Sequence, residues 1–264
     1  MKMEKTANLI RQDIIKMLAQ AGSGHPGGSL SIVEILTALY FGKVLEKQDK
    51  LILSKAHCCP ALYAVFAELG LIPKEELLTL RKFGSRLQGH LDRLKLPLLE
   101  TSGGSLGQGL SIGIGMALAD KSRRVYVLMS DGEQQEGSTL EAMMFASHYK
   151  LDNLTAIIDI NGLQIDGPTV EVMAGDKLEE RYEAFGWHIE DIDGHNIQQI
   201  INACQEIKNI HGQPSVILAH TTKGKGVSFM ENKLEWHGKA PTKEEAESAL
   251  KELKDQNYAS NQKS

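Results

Sequence analysis

Cysteine is scarce in this 264-residue chain. Its three copies, Cys58, Cys59 and Cys204, form no CxxC pair and no disulfide framework, which excludes a small cross-linked extracellular scaffold. The adjacent Cys58 and Cys59 read as small buried filler rather than as redox or metal chemistry. Long apolar runs are missing too: residues 125–129 and 154–158 fall far short of the roughly 20 residues a membrane span needs. The opening MKMEKTANLI has no apolar stretch followed by a cleavage site, so no signal peptide is read. No basic run offsets the net charge of −5, which argues against a nucleic-acid-binding surface. HExxH and Cys/His zinc spacings are absent as well. These absences leave the cytoplasm as the expected location, with neither membrane nor nucleic acid as a partner.

What is present is enough apolar material, 42% of the chain, for one large domain. Leu9 or Ile10, Ile14, Met17, Leu18 and Ala21 recur at helical spacing. That helix runs into GSGHPGG at 22–28, where no helix is expected to survive. Ser31 with Glu34 has the form of a capping box for a helix ending near Gly42. Short apolar runs then alternate with helical patterns. Strands are expected at 51–54, 125–129, 154–159, 188–192 and 216–219, and helices near 60–69, 107–119, 138–150, 178–185 and 197–208. The alternation predicts an α/β fold, a mostly parallel sheet with helices on both faces. No internal repeat is visible. Residues 241–254 read as a charged helix with a thin stripe of Ala246, Leu250 and Leu253, and residues 255–264 as a disordered tail.

In an open parallel sheet, ligands sit beyond the carboxyl ends of the strands. Asp131 stands just past the strand ending at Met129, within SDGEQQEG. Ser138 and Glu141 read as caps of the next helix, a crossover that returns the chain to Leu154. The following strand delivers Asn161 to the same edge. Singly, Asp131 and Asn161 would only cap turns. Their separation by a complete strand–helix–strand unit favours a metal–diphosphate site instead. Such oxygen ligands suit Mg²⁺ or Ca²⁺, and Gly132 lets backbone approach a diphosphate. His25 in its Gly/Pro loop, His57 past a strand end and His237 beyond TTKGKG lie on loops that could converge there. His148, His188, His195 and His211 read as solvated or hydrogen-bonded surface residues. KGKG at 223–226 is not read as a phosphate loop, because the preceding glycine-rich spacing is missing.

SDG followed by DINGLQIDG resembles the thiamine diphosphate fingerprint, with Ser130 in place of its first Gly and Ile160 in place of the first Asn of its pair. GSGHPGG, LSKAHCCPALY, LQGHLDR and EWHGKAP, which carry His25, His57, His90 and His237, resemble transketolase motifs in transketolase order. GGSLGQGLSIGIGMA is similar to the loop and helix that cover the cofactor. The resemblance runs from about residue 5 to 250. It implies a diphosphate-binding domain over residues 1–254, in which Asp131, Asn161 and the carbonyl of Leu163 hold the metal. Gly132, His57 and His237 would contact the diphosphate, and Gly104 and Leu106 the cofactor rings. His25, His57, His90 and His237 would surround the reacting hydroxyls and oxyanion. Glu136 matches a glutamate at the family's subunit interface.

Transketolases have a second domain, whose glutamate hydrogen-bonds the aminopyrimidine of the cofactor, and this sequence lacks it. The resemblance is therefore to the N-terminal subunit of a split transketolase. It implies a C-terminal partner subunit, two copies of each chain, and ketol transfer between sugar phosphates. A modified sugar such as a sulfonated one, or a deoxyxylulose-phosphate-synthase-like reaction, stays open as an alternative. A 2-oxo-acid dehydrogenase subunit lacks GHPGG and WHGKAP. An idle scaffold subunit would not need Asp131, Asn161 and four motif histidines together.

Overall fold

Residues 125–129 and 154–158 lie in the interior of the sheet, covered on both faces, which is why they read as unbroken apolar runs. The computed structural model describes residues 2–173 and 177–261, with residues 257–261 described by backbone alone. Helices α1 (Lys2–Ala21), α2 (Pro26–Ser31) and α3 (Val33–Phe41) precede β1 (Lys50–Leu53) and α4 (Cys59–Glu68). A largely irregular stretch leads to α5 (Gln108–Ala119), β2 (Val125–Ser130), α6 (Gly137–His148) and β3 (Leu154–Ile160). A small hairpin of β4 (Leu163–Gln164) and β5 (Gly167–Pro168) is followed by α7 (Thr169–Val172) and α8 (Leu178–Ala184). Then come β6 (His188–Asp193), α9 (Ile197–Glu206), β7 (Ser215–His220) and α10 (Lys243–Asn261).

The main sheet has the order β1-β2-β3-β7-β6, and every pair is parallel. Its register pairs Ser130 with Asp159 and Ile160 with His220, so β2, β3 and β7 end side by side. Helices α1, α3, α4, α9 and α10 pack one core layer, and α5, α6 and α8 the other. On α1 the expected stripe of Ile10, Ile14, Met17 and Leu18 is fully buried. Each such side chain contributes about 1.5–3 kcal/mol. Helix α5 lies against β2 at Gly113, where a Cβ would come within 2.6 Å of Val127. Gly113→Ala would force these elements apart.

The expected strands are all present, but several local readings need correction. A helix does start inside GSGHPGG, at Pro26, whose ring presets the first helical turn. Tertiary packing overrides the poor propensity of the two glycines. A Cβ on Gly27 would lie 2.9 Å from Lys223 Cγ, and one on Gly28 2.8 Å from Cys58 Sγ. Ser31 and Glu34 form no capping box, since α3 begins after Ile32 without a side-chain cap. Ser138 does not cap α6 either: the N-cap is Glu136, and the Ser138 hydroxyl donates to the Gly107 carbonyl at 3.2 Å. Helix α10 continues past Lys254 to Asn261, where a disordered tail was expected, and residues 262–264 lie outside the described residues.

Candidate active site

Asp131 and Asn161 meet as neighbours at the carboxyl edge. Asp131 Oδ2 accepts a hydrogen bond from the Gly162 N–H at 2.6 Å, and Oδ1 one from Gly132 N–H at 2.8 Å. Asn161 is oriented by Asp159: its Nδ2 donates to that carboxylate at 3.0 Å, which leaves Oδ1 to accept from Leu163 N–H at 3.2 Å. Both residues line a cavity of about 360 Å³. Burial, then the charge of nearby Asp159, raises the Asp131 pKa above the ordinary carboxylate range. A cation placed here would reverse that.

Two lysines bring positive charge to the same wall. Lys55, just past β1, pairs with Asp159 in a bridge whose members are both buried. Burial is the largest influence on each and opposes its ionisation, yet the partner's charge and the hydrogen bonds and charges around it together hold Asp159 below and Lys55 above its ordinary value. Ser31 Oγ donates to the same carboxylate at 2.7 Å, and Thr221 Oγ1 also donates to it. Lys223 follows β7 and donates to the Leu163 carbonyl at 3.0 Å and to His237 Nδ1 at 2.9 Å. Burial, then Lys55, brings its pKa down to about 8.

Four imidazoles complete the cavity. The ring of His25 stands 5.2 Å from that of His57, 6.1 Å from His90 and 5.7 Å from His237. His57 and His237 stack at 5.6 Å. Burial is the first cause that keeps all four neutral at neutral pH. It brings His25 to about 4 with help from Arg81, and His237 to about 3 with help from Lys223. His57 falls well below its ordinary value beside Lys55, and His90 is lowered beside Arg81. Neutral rings can accept or donate protons without presenting fixed charge. His25 Nδ1 is buried and has no hydrogen-bond partner among the described residues. Beyond them the cavity widens into a cleft lined by Lys233, Glu235 and Lys239.

Gly104, Leu106, Gly132, Glu136 and Leu163 line the same cavity, so every residue singled out from the sequence is brought together there. Glu136 is exposed at its rim. The donor set fits a hard divalent ion: a carboxylate, an amide oxygen and a backbone carbonyl. A cationic group, the Lys223 ammonium, already sits on the Leu163 carbonyl. Lys55, Lys223 and Asp159 were missed by sequence reasoning. So was Glu133, fully buried, which accepts from Ser54 Oγ and from the N–H groups of Gly107 (2.8 Å) and Ser130 (3.3 Å). The signal for Lys55 and Lys223 was their place just after a strand, in the segments already marked for His57 and His237. Cys58 and Cys59 are buried free thiols whose pKa burial raises, Cys58 to about 11, so both are filler as expected.

A parallel α/β domain that gathers cations, imidazoles and a carboxylate–amide pair at its strand ends is a cofactor-binding domain of the enzyme type. The chain belongs to the family of the transketolase thiamine diphosphate binding domain, which matches residues 2–260. It is 44% identical to an apulose-4-phosphate transketolase subunit of Phocaeicola vulgatus, over 92% of this chain and 90% of that protein. It is 43% identical to the 6-deoxy-6-sulfo-D-fructose transketolase subunit SqwG of a Clostridium species, over 95% and 96% respectively. The transketolase structure from Leishmania mexicana superposes with a TM-score of 0.89 at 27% identity. That match covers 95% of this chain but only 41% of that one.

Proposed function

We propose that the chain is the diphosphate-holding subunit of a transketolase. It transfers a two-carbon ketol unit from a ketose phosphate to an aldose phosphate, together with a separate subunit that supplies the pyrimidine half of the site. The observation that carries this reading is the meeting of His25, His57, His90 and His237 above the Asp131–Asn161 corner of one cavity. Thiamine diphosphate would supply there a carbon acid that becomes nucleophilic on losing its proton, and a thiazolium ring able to accept electrons.

The chain's own residues have separate tasks. Asp131, Asn161 and the Leu163 carbonyl would hold Mg²⁺ or Ca²⁺ against the diphosphate, and Gly132 leaves its backbone open to it. Lys223 would balance the phosphate charge, and the neutral rings of His57 and His237 would contact the diphosphate by hydrogen bonds. Gly104 and Leu106 would bound the cofactor rings. His25, which faces the wider cleft, and His90, which lines the cavity beside it, would move protons at the sugar hydroxyls and stabilise the developing oxyanion.

Two observations support a partner. The Phocaeicola and Clostridium relatives, each named as one subunit of a transketolase, are matched over nearly their whole length. Helices α5 and α6 pack together and expose Ile112, Leu118, Met144 and Phe145, and α6 follows the exposed Glu136, which suits a further protein surface. The assembly would hold two copies of each chain in the cytoplasm, with Glu136 at the contact between them. No helix among the described residues is long and apolar enough to cross a membrane. Relatives of 44% and 43% identity are named for different sugars, so likeness at this level does not choose the substrate.

The test is a coupled assay of the chain alone and mixed with its partner. The panel of ketose and aldose phosphates begins with xylulose 5-phosphate and ribose 5-phosphate. The chain alone should be silent and the mixture active. Full turnover by the chain alone would refute the split site, and silence of the mixture across the panel would refute ketol transfer.

A further inference from the structure

His195 and Glu34 lie outside the cavity, behind the loop that forms one of its walls. Residues 221–226 leave the end of β7 and carry Lys223, itself only 2% exposed, inward. Backbone bonds tie this loop to its surroundings: Thr221 N–H donates to the Ile160 carbonyl, Gly224 N–H to that of Gly27, and the Lys223 carbonyl accepts from Asn232 N–H, each at 2.9 Å. Side chains fix it on either side of Lys223. Thr222 N–H donates to His195 Nε2 at 2.7 Å, and Arg11 Nε donates to the Lys225 carbonyl at 2.9 Å.

These two side chains share one carboxylate. Arg11 reaches both oxygens of Glu34, at 2.6 and 2.7 Å, and His195 Nδ1 lies 2.9 Å from Oε2. Because Nε2 accepts the Thr222 N–H, the ring proton must sit on Nδ1 and be donated to Glu34. The carboxylate thus selects the tautomer that can hold the loop. Burial is the largest influence on Glu34 and opposes its charge, but Arg11 and His195 together keep the carboxyl below its ordinary range. Aliphatic residues would fill these positions of α1 and α3 with less desolvation, so a polar cluster here needs a reason beyond packing.

We infer that Glu34 and His195, backed by Arg11, are positioning residues that set the loop so that the Lys223 ammonium points into the cavity. They act through Lys223 and touch no substrate. The inference rests on the reading of the cavity as a diphosphate site.

The experiment measures binding of thiamine diphosphate with Mg²⁺ to the full chain by calorimetry, and amide hydrogen exchange of Thr222 and Lys223 without cofactor. His195→Ala should weaken binding about 10-fold and speed exchange at both amides. His195→Gln, which can place an acceptor near the position of Nε2, should restore most of the affinity. In a Lys223→Met background, His195→Ala should bring no further loss of affinity, although it lowers thermal stability in both backgrounds. An equal loss of affinity in both backgrounds, or exchange unchanged by His195→Ala, overturns the positioning role. If the wild-type chain itself binds no thiamine diphosphate with Mg²⁺, the diphosphate reading fails, and exchange at Thr222 and Lys223 alone decides whether His195 holds the loop.

Discussion

Lys55 and Asp159 form an ion pair that water does not reach, with side chains 1% and 0% exposed. The carboxylate also takes Ser31, Thr221 and Asn161, so it ties β1, α2, β3 and the loop after β7 into one corner. Removing the lysine alone strands that charge. Lys55→Met should destabilise the chain by about 3–5 kcal/mol, read from the urea midpoint at neutral pH. A second change, Asp159→Asn, should restore part of the loss. An unaltered midpoint in Lys55→Met would contradict the pairing.

Binding of thiamine diphosphate should depend on Mg²⁺ or Ca²⁺, because the buried Asp131, whose pKa burial raises, would bind a diphosphate only through a bridging cation. Asp131→Ala should abolish the metal-dependent part. Asp166→Ala, at an exposed position on the cavity rim, should matter far less. Calorimetry in Mg²⁺ and in chelator checks both, and equal binding in the two conditions would count against the metal site.

The pH dependence of that binding should follow Lys223, whose pKa burial, then Lys55, brings down to about 8. Below that pH the ammonium is present and meets the diphosphate directly. Above it the free chain holds a neutral amine, and binding must take up a proton. Affinity should therefore fall as pH rises past 8, by at most about 10-fold per pH unit. Lys223→Met should bind more weakly at pH 7 and lose this slope. A wild-type affinity that stays flat from pH 7 to 9 would remove Lys223 from the role.

Glu133 should matter to stability rather than to charge. Its oxygens accept two backbone N–H groups and the Ser54 hydroxyl in a fully buried place. Glu133→Gln turns an acceptor into a donor facing those donors, at a cost of about 1–3 kcal/mol. Thermal unfolding measures the loss, and faster proteolysis of the loop ahead of α5 would locate it.

The sheet and the carboxylate–amide corner were legible because they depend on local pattern. Residues 125–129 and 154–158 could only be covered strands, and the strand–helix–strand unit between Asp131 and Asn161 fixed their meeting at one edge. The thiamine diphosphate fingerprint and the order of the four histidine motifs then suggested the family. What stayed hidden depends on partners distant in sequence. Lysine is ordinarily a surface residue, and nothing near Lys55 announces that Asp159 will accept its charge. His195 looked like any loop histidine until the fold set Glu34 on one side of the ring and Thr222 on the other. The helix at Pro26 was invisible for the same reason, since its glycines answer to Lys223 and Cys58 rather than to helix propensity.

The imidazole cluster draws on segments at residues 25, 57, 90 and 237, so it is a contact of very long range in the chain. Pairing of β1, β2 and β3 alone could join Asp131 to Asn161, but His237 arrives only after β6 and β7 have been laid down. Topology of this kind slows folding, because loop closure precedes the contacts that reward it. The Asp131–Asn161 corner can therefore exist in a partly folded chain, whereas the four stacked and crossed rings cannot. Their proximity depends on the complete sheet: the four imidazoles come together only when its last strands are in place.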